Sequence, residues 1–598
     1  MVTDRRLTNG RVWLAGTVAA LAAVFLLLPW LAGTPFDDPG EGQHAQIAHE
    51  VETDHDWITL RLNGVRYFDK PPLLYWLTAA SFRFFRPTEW AGRLPPLLGA
   101  ALAAAATAVL GARLMGTARG LIAAGALLSC ALFLVFGCYL RPETLFVAAI
   151  QWGITGLLVG RREDGAPASG PSPWTLVGAA ALGAASLAKD PLGLIGPLAA
   201  VALALVLARR ARPLSGWLPW GALVLLLVIG FGWYAVAALR NRGFLWYTVV
   251  DNHLLNAVRL RHFPDEDVPL SSLEFLVVSL MGAFPWVVGA GIAVSSLARR
   301  RAWRDPSETP WVALALWAVG LVLFFTVLPF KLPHYALPAY PAIALLAVRG
   351  WSERADRPRG LIAAHALLFT LVAAVLTLAV WSDGRQFTAL VFSATDVYTR
   401  KEAVWGDTGP LPPWATLRPL LLYAIVVCAA TVAALVVAFV GRSARLGLVV
   451  VVAGMLILMP SVERGRSLVA SRRAVAGMAA EINREMRAGD VLVHEGPIEN
   501  SGSLEFYSGQ RPALLDGHRS VLGIGATFPE AKGIFWDAER FRREWLSGAR
   551  RLFLVTPRSP ATSVVASLPA GSARLLLRDN GRWLYVNRPG TVPDRDGK

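Results

Sequence analysis

Long apolar runs without charged residues recur along the first 460 residues, and they constrain the fold more than any other feature of the chain. A helix of about 20 apolar residues spans the hydrocarbon core of a bilayer, because each residue adds about 1.5 Å. Hydrophobic residues make up 55% of the chain and charged residues only 17%, a composition that excludes an ordinary soluble domain. The sequence therefore predicts a polytopic α-helical membrane protein.

Thirteen of these runs are predicted to be transmembrane helices. They cover residues 12–32, 94–112, 120–138, 144–160, 174–188, 192–208, 216–238, 272–297, 310–328, 335–348, 360–381, 416–440 and 446–460. The first run is longer than the apolar core of a signal peptide, which has about 7 to 15 residues, so it is interpreted as a retained helix. Residues 71–85 are too short to span and contain Arg83, so they are predicted to form a helix in the membrane interface.

Arginine clusters follow the predicted helices in every second connection. They lie at Arg5, Arg6 and Arg11, Arg113 and Arg119, Arg161 and Arg162, Arg209, Arg210 and Arg212, residues 299–304, residues 349–359, and Arg442 and Arg445. Because basic residues mark cytoplasmic loops, membrane orientation explains the net charge of +16, and no nucleic-acid partner is expected. The N-terminus is predicted to be cytoplasmic, and an odd number of spans places the C-terminal region on the external, periplasmic side.

The polarity of the sequence becomes mixed after the last apolar run. This change divides the chain into a transmembrane domain at residues 1–462 and a soluble domain at residues 463–598. Apolar residues with helical spacing at 475–486 precede three short strand patterns, at 491–493, 552–555 and 583–586. A small extracytoplasmic α/β domain is therefore predicted. The three cysteines lie in or beside apolar runs, so neither a disulfide framework nor a thiolate metal site is expected.

The first external loop, residues 34–90, gathers acids, aromatic residues and a Lys-Pro-Pro turn. Asp37, Asp38 and Glu41 stand just before a helical pattern, and Lys70 follows later in the loop. Carboxylates concentrated beside apolar helices indicate a site for general acid or base chemistry. An alternative role for Asp37 and Asp38 is to cap the helix that begins near Glu41.

Three of the six lysines lie beside proline in short external connections. They are Lys70, Lys189 and Lys331. Compact positive charges on one face of the membrane suit a phosphate group. For each lysine alone, the alternative is a side chain that extends its ammonium group from apolar surroundings into the membrane interface. Their shared side favours a functional role.

Several motifs resemble a known family in their order along residues 10–350. They are Asp38-Pro39-Gly40-Glu41, Tyr67-Phe68-Asp69-Lys70-Pro71-Pro72, Arg93-Leu94-Pro95, Lys189-Asp190-Pro191, Asp251-Asn252-His253 and Lys331-Leu332-Pro333-His334-Tyr335. In these residues the chain resembles membrane glycosyltransferases of the GT-C superfamily, namely the lipid A aminoarabinose transferase and the protein O-mannosyltransferases. The resemblance implies transfer of a sugar from a polyprenyl-phosphate donor to a lipid or protein acceptor, usually with inversion, on the external side of a bacterial inner membrane.

The resemblance also implies catalytic roles for individual acids. Family loops commonly read Pro-Asp-Glu where this chain reads Pro39-Gly40-Glu41. The base is therefore assigned to Asp38, with Glu41 in support and Asp37 as a further candidate. Glu143 is a candidate second acid, and its alternative role is that of a first-turn glutamate stabilised by the helix dipole.

The leaving phosphate of the donor is expected to lie against fixed cations and their polar neighbours. The candidates for this cradle are Lys70, Arg66, Tyr67, Lys331, His334, Tyr335 and Lys189. Because the leaving group has a single phosphate, a protein cation can take the role of a metal. No cofactor is therefore required, and a divalent metal is optional.

Asp69 and His253 form a tentative metal pair, because a carboxylate and an imidazole suit zinc. Two ligands are fewer than a zinc site needs, and the alternative for His253 is a hydrogen-bonded histidine in the membrane interface.

A transporter or flippase for a lipid-linked saccharide is the alternative function, since it would also need external cations. Such proteins carry broken helices at mid-membrane depth and often an internal repeat, and the sequence indicates neither. The sequence therefore favours an enzyme, without specifying its sugar or acceptor.

Overall fold

The computed structural model describes residues 9–160, 172–208, 218–264, 268–395, 400 and 411–587. Helices form most of the chain up to Ser471, and a six-stranded sheet follows. The prediction of a polytopic helical protein with a small C-terminal α/β domain is confirmed. The helices are α1 (Asn9–Leu27), α2 (Gly42–Asp54), α3 (Leu73–Phe85), α4 (Glu89–Gly92), α5 (Leu94–Met115), α6 (Thr117–Leu128), α7 (Ala131–Gly137), α8 (Glu143–Val159), α9 (Pro173–Ala188), α10 (Leu192–Leu207), α11 (Trp220–Arg240), α12 (Ser272–Gly282), α13 (Val287–Arg299), α14 (Thr309–Val327), α15 (Tyr340–Glu353), α16 (Arg359–Trp381), α17 (Arg385–Thr395), α18 (Trp414–Val440), α19 (Ala444–Ser471), α20 (Ala476–Glu485), α21 (Leu504–Ser508) and α22 (Ala538–Ser547).

Every predicted span coincides with helical structure, but two of the spans are bent pairs. Among the described residues, seven helices are long and apolar enough to cross a membrane, or up to nine if each bent pair is one span. Helices α6 and α7 meet at 78°, and α12 and α13 meet at 102°. Pro285 lies in the second bend, where it cannot supply the N–H of a continuous helix. The total of thirteen spans stays a prediction.

The orientation in the membrane also stays a prediction. Part of the arginine pattern lies outside the described residues, namely Arg5, Arg6, Arg161, Arg162, Arg209, Arg210 and Arg212.

The first external loop folds as two helices around a hairpin. Strands β1 (Arg61–Leu62) and β2 (Val65–Arg66) pair antiparallel between α2 and α3. The turn between the strands is Asn63-Gly64, with φ values of 56° and 74°, and positive φ at both positions is what a tight hairpin turn requires. Helix α3 has 13 residues and is the short helix predicted for the membrane interface.

The C-terminal sheet contains four parallel strands and two antiparallel ones. Its strand order is β5-β4-β3-β6-β8-β7, with β3 (Val491–Glu495), β4 (Ala513–Leu515), β5 (Phe535–Trp536), β6 (Leu552–Thr556), β7 (Arg574–Asp579) and β8 (Arg582–Val586). The three strand patterns found in the sequence correspond to β3, β6 and β8. The domain boundary predicted at residue 463 falls inside α19, which continues to Ser471.

A segment after β3 connects the sheet to the first external loop. We call residues 498–508 the docking segment; it ends with the short helix α21. The backbone N–H of Phe36 donates to the Tyr507 hydroxyl at 2.8 Å, and this hydroxyl donates to Glu89 Oε1 at 2.9 Å. The C-terminal domain therefore packs directly on the loop that was predicted to carry the site.

Glycines allow two helices beside this loop to approach each other closely. Gly156 on α8 faces Gly178 on α9, and a Cβ added at Gly156 would lie 2.5 Å from Gly178 Cα and from the Trp174 carbonyl oxygen. Real Cβ atoms do not come this close to backbone. The α8–α9 contact therefore depends on the missing side chain.

Replacement of Gly156 by alanine is expected to destabilise the protein by about 1 to 3 kcal/mol, because the added methyl group must push two backbones apart. Gly320→Ala is the matched control, since a Cβ at this position on α14 meets no atom within 4 Å. Thermal unfolding in detergent micelles measures both variants. Equal melting temperatures for the two would contradict the close packing of α8 on α9.

Candidate active site

A buried ion pair anchors the first external loop to the start of α5. The Arg93 guanidinium donates through Nε to Glu41 Oε1 at 2.8 Å and through Nη2 to Glu41 Oε2 at 2.5 Å. Both side chains are fully buried. Arg93 also donates to the carbonyl oxygens of Leu31, Thr34 and Pro35. Glu41, expected to support catalysis, therefore holds the loop in place.

Asp38, the base assigned from the sequence, is closed off by the docking segment. The Ser503 backbone N–H donates to Asp38 Oδ1 at 2.9 Å, and the Ser503 hydroxyl donates to Oδ2. The carboxyl is fully buried. Burial raises its pKa to about 7, although the nearby Arg582 and the Ser503 hydrogen bonds oppose this shift. A base with this pKa suits proton transfer near neutral pH, but in this structure its oxygens face Ser503.

Asp37 keeps a small exposed fraction, 6% against 0% for Asp38. The Tyr139 hydroxyl donates to Asp37 Oδ2 at 2.6 Å. A Cβ added at Gly40 would overlap this hydroxyl and would lie 3.3 Å from Asp37 Oδ2. The absence of a side chain at Gly40 therefore makes room for the contact between Tyr139 and Asp37.

A five-residue segment joins the acids of the first loop to a group of cations. Tyr139 contacts Asp37, and the Leu140 backbone N–H donates to Glu41 Oε1 at 2.8 Å. Arg141 follows directly after Leu140, and Glu143 is the first residue of α8. These two residues begin the cationic region. The spacing of residues 139–143 therefore places the acids and the cations next to each other.

Glu143 is the centre of this region. Its Oε1 lies 3.3 Å from Lys189 Nζ and 3.2 Å from His334 Nε2, and its Oε2 lies 3.7 Å from Arg141 Nε. Burial holds the pKa of His334 well below its usual value despite the opposing charge of Glu143, so the ring is neutral and donates from Nε2. Lys189 Nζ also lies 4.8 Å from the centre of the Tyr335 ring, a favourable cation–π distance.

Lys70 belongs to the same region. Its Nζ lies 2.5 Å from Asp69 Oδ2. Burial lowers the pKa of Lys189, and the positive charges of Lys70 and Arg141 are both close enough to lower it further. We call Lys70, Arg141 and Lys189 the cation cluster. The structure places Lys70, Lys189, His334, Tyr335 and Glu143 in one region, and their roles at a phosphate or in catalysis stay predictions.

Lys331 lies elsewhere, at the C-terminal end of α14. Its ammonium group donates to Ser272 Oγ at 2.8 Å, Thr326 O at 3.0 Å and Leu328 O at 2.7 Å. These three acceptors match the three donors of an ammonium group. In this structure Lys331 caps the end of α14, and its contact with a phosphate stays a prediction.

Arg66 and Tyr67 also have partners other than those expected. Arg66 forms an ion pair with Glu530 of the C-terminal domain and donates to Asn241 Oδ1 at 2.9 Å. Tyr67 is buried, and its hydroxyl lies 3.3 Å from the Tyr75 hydroxyl. Arg66 therefore connects the loop to the C-terminal domain, while Tyr67 packs behind the cation cluster.

The two residues of the tentative metal pair have other partners in this structure. The Asp69 carboxylate is paired with Lys70, and His253 Nδ1 lies 2.5 Å from the Thr248 carbonyl oxygen. Within the described part of the chain, no group of three or more His, Cys, Asp or Glu residues is placed to hold a metal. Zinc sites use three or four protein ligands. Metal binding by Asp69 and His253 stays a prediction and has no part in the chemistry below.

Sequence comparisons match this region to known enzymes. The family model for dolichyl-phosphate-mannose-protein mannosyltransferase matches residues 69–234. The undecaprenyl phosphate-alpha-4-amino-4-deoxy-L-arabinose arabinosyl transferase of Edwardsiella ictaluri is 25% identical over 591 residues, which cover 95% of this chain and 98% of that protein. The corresponding transferase 1 of Sodalis glossinidius is 29% identical over 58% of this chain and 61% of that protein.

Solved structures agree over almost the whole chain. ArnT from Cupriavidus metallidurans, bound to undecaprenyl phosphate, has a TM-score of 0.76 at 21% identity over 96% of this chain and 98% of its own. In the apo state it has a TM-score of 0.77 at 22% identity, over 96% and 97%. The chain therefore shares the fold of the ArnT structures over almost its whole length.

The sequence missed several residues that shape the site. Arg93 stands inside the quoted motif Arg93-Leu94-Pro95, and Arg141 stands two residues before Glu143, which was the available signal. The contact of Tyr139 with Asp37 could be inferred only from the structure. No sequence pattern indicated Ser503 either, because its contact with Asp38 joins residues that are 465 positions apart.

Asp38 makes the docking segment sensitive to pH. Because its folded-state pKa is raised, its contribution to stability is fully present at low pH and is lost as the pH rises through about 7. Glu50, whose pKa burial also raises to about 7 beside Glu505, adds to this trend. We expect opening of residues 498–508 to increase by up to about tenfold per pH unit as the pH rises from about 4 to about 7, and to level off above pH 7, where both carboxyls are ionised in the closed and the open state.

Hydrogen exchange of residues 498–508, corrected for the intrinsic rate, measures this opening. Asp38→Asn should flatten the pH dependence, and Glu50→Gln should remove the separate contribution of Glu50. An unchanged pH dependence in Asp38→Asn would contradict the role given to this carboxyl.

Proposed function

We propose that the protein transfers a sugar from a polyprenyl-phosphate donor to a lipid acceptor at the external membrane surface. The observation that carries the proposal is the short segment from Tyr139 to Glu143, which contacts the acids of the first loop at one end and joins the cation cluster at the other. Glycosyl transfer needs both parts, since a base must meet the acceptor while cations meet the leaving phosphate.

The charge of the cluster supports a phosphate ligand. Lys70, Arg141 and Lys189 supply three positive charges, and their partners Asp69 and Glu143 supply two negative ones. The difference is one positive charge. The phosphodiester of a glycosyl polyprenyl phosphate has a single negative charge, so the ligand and the cluster would neutralise each other.

Asp37 is the base that the geometry favours. One of its oxygens is held by the Tyr139 hydroxyl at 2.6 Å, which orients the carboxylate. Glu41 is bonded to Arg93, and both oxygens of Asp38 face Ser503. Among Asp37, Asp38 and Glu41, Asp37 is the acid that keeps an exposed fraction, 6%, which favours it as the base.

The proposed step balances as a single displacement. The acceptor oxygen forms a bond to the anomeric carbon from the face opposite the phosphate, which inverts that centre. The bond between the anomeric carbon and the phosphate oxygen breaks, and its electron pair leaves with the lipid phosphate. Asp37 takes the proton of the acceptor, while the cation cluster stabilises the negative charge that develops on the phosphate.

The relatives indicate which substrates to test first. The arabinosyl transferases are named for 4-amino-4-deoxy-L-arabinose on undecaprenyl phosphate, and the family model is named for mannosyl transfer to protein. The longer match is to the arabinosyl transferases, so a lipid acceptor such as lipid A is proposed ahead of a protein. The proposed location is a bacterial inner membrane, with the N-terminus cytoplasmic and the C-terminal domain periplasmic.

Replacement of Asp37 by asparagine is expected to lower kcat for sugar transfer by about 10²- to 10⁴-fold, because the amide cannot accept the proton. The matched control is Asp54→Asn, an exposed acid at the end of α2 in the same loop. Transfer from a radiolabelled undecaprenyl-phosphate sugar to lipid A measures the rate. If Asp38→Asn abolished transfer while Asp37→Asn kept it, the base would be Asp38.

Donor binding should separate Lys189 from Lys331. Lys189→Gln removes a charge from the cation cluster, and loss of a hydrogen bond to a charged group lowers affinity by about 10- to 100-fold. Lys331→Gln loses a helix cap and is expected to lower the melting temperature without changing donor affinity. Titration with undecaprenyl phosphate in detergent measures both variants, and Lys189→Arg tests whether charge alone suffices. The opposite pattern would return the phosphate site to Lys331.

A further inference from the structure

His44, on α2, has a buried ring nitrogen that no described residue satisfies. The residue is only 1% exposed, and its Nδ1 lies 2.9 Å from the Tyr75 hydroxyl. Nε2, on the other side of the ring, is buried and has no hydrogen-bond partner among the described residues. An unsatisfied buried polar atom costs about 1 to 3 kcal/mol. This cost indicates that Nε2 acquires a partner during function.

The surroundings of the ring indicate what that partner is. The charged groups that act on His44 are Arg141 and Lys70 of the cation cluster, with their acids Glu143 and Asp69. Lys70 and Asp69 come from the first loop, and Arg141 and Glu143 come from the start of α8. A phosphate held by the cation cluster would therefore come close to the His44 ring.

The ring is neutral in the folded protein. Burial lowers the pKa of His44 to about 3, and the nearby Arg141 and Lys70 act in the same direction. A neutral imidazole has one N–H donor and one acceptor nitrogen. His44 can thus donate a hydrogen bond without adding a further positive charge to the cluster.

We propose that His44 binds the phosphate of the polyprenyl-phosphate donor through a hydrogen bond from Nε2. This inference rests on the proposed function and adds a neutral donor to the cations of the site. In the donor complex the hydrogen of the imidazole lies on Nε2, and the Tyr75 hydroxyl donates to Nδ1 at 2.9 Å instead of to the Tyr67 hydroxyl, which is farther away at 3.3 Å. Tyr75 is thus a positioning residue that fixes both the orientation and the tautomer of the ring.

A neutral donor has a specific use beside a phosphate that is about to leave. Each added cation would strengthen binding of the lipid phosphate after transfer, when the phosphate monoester has gained negative charge, and would slow its release. A hydrogen bond from a neutral ring orients a phosphate oxygen with a smaller increase in product affinity, because it does not add the Coulomb attraction of a full positive charge.

Binding of undecaprenyl phosphate to the full-length protein in detergent tests the proposal. His44→Phe keeps a ring of similar shape without nitrogen and is expected to weaken binding by about 10- to 100-fold, the range for a hydrogen bond to a charged group. His44→Gln offers an amide N–H and should restore most of the affinity. Tyr75→Phe should weaken binding less than His44→Phe does.

The matched control is His49→Phe, which lies on the same helix and faces Phe506 of the docking segment. It should bind undecaprenyl phosphate as the wild type does. Melting temperatures of all variants separate binding from folding: a purely structural role for His44 would make His44→Gln as weak a binder as His44→Phe, with equal losses of melting temperature.

Three outcomes have distinct meanings. Weak binding by His44→Phe with recovery in His44→Gln supports the hydrogen bond. Wild-type affinity in His44→Phe overturns it, even if the wild type transfers sugar as proposed. If the wild type itself neither binds undecaprenyl phosphate nor transfers sugar from it, the proposed function fails first, and the inference about His44 falls with it.

Discussion

The fully buried pair of Arg93 and Glu41 is the interaction on which the rest of the site depends. Arg93 donates hydrogen bonds to carbonyl oxygens just after the first helical region. Glu41 accepts hydrogen bonds from Arg93 and from the backbone N–H of Leu140. One ion pair thus sets the relative positions of α1, the first loop and the segment that leads to α8. Loss of one partner would leave a buried charge without compensation, which typically costs about 3 to 5 kcal/mol.

The C-terminal domain contacts the residues of the candidate active site directly. Ser503 covers Asp38, Tyr507 bonds to Phe36 and Glu89, and Glu530 holds Arg66. These contacts hold the first loop against the C-terminal domain at several points along its length.

The sequence predicted the helices well because membrane burial imposes long apolar runs that need no knowledge of tertiary contacts. The sequence predicts the side of the membrane for each lysine, but it gives no distances between them. It therefore could not separate Lys189, which lies in the cation cluster, from Lys331, which caps α14. The choice between Asp37 and Asp38 was beyond the sequence for a similar reason. These neighbours differ only in what covers them, and Ser503, which covers Asp38, lies in a distant part of the chain.

The Tyr139 hydroxyl lies directly beside Gly40, and this contact restricts which residues position 40 can accept. The hydroxyl of Tyr139 fills the space that any side chain at position 40 would need. A carboxylate at position 40 and the Tyr139 hydroxyl are thus mutually exclusive ways to occupy the same few cubic ångströms. An attempt to engineer the Pro-Asp-Glu pattern into this chain would therefore need two exchanges at once, an acid at position 40 and a smaller residue at position 139.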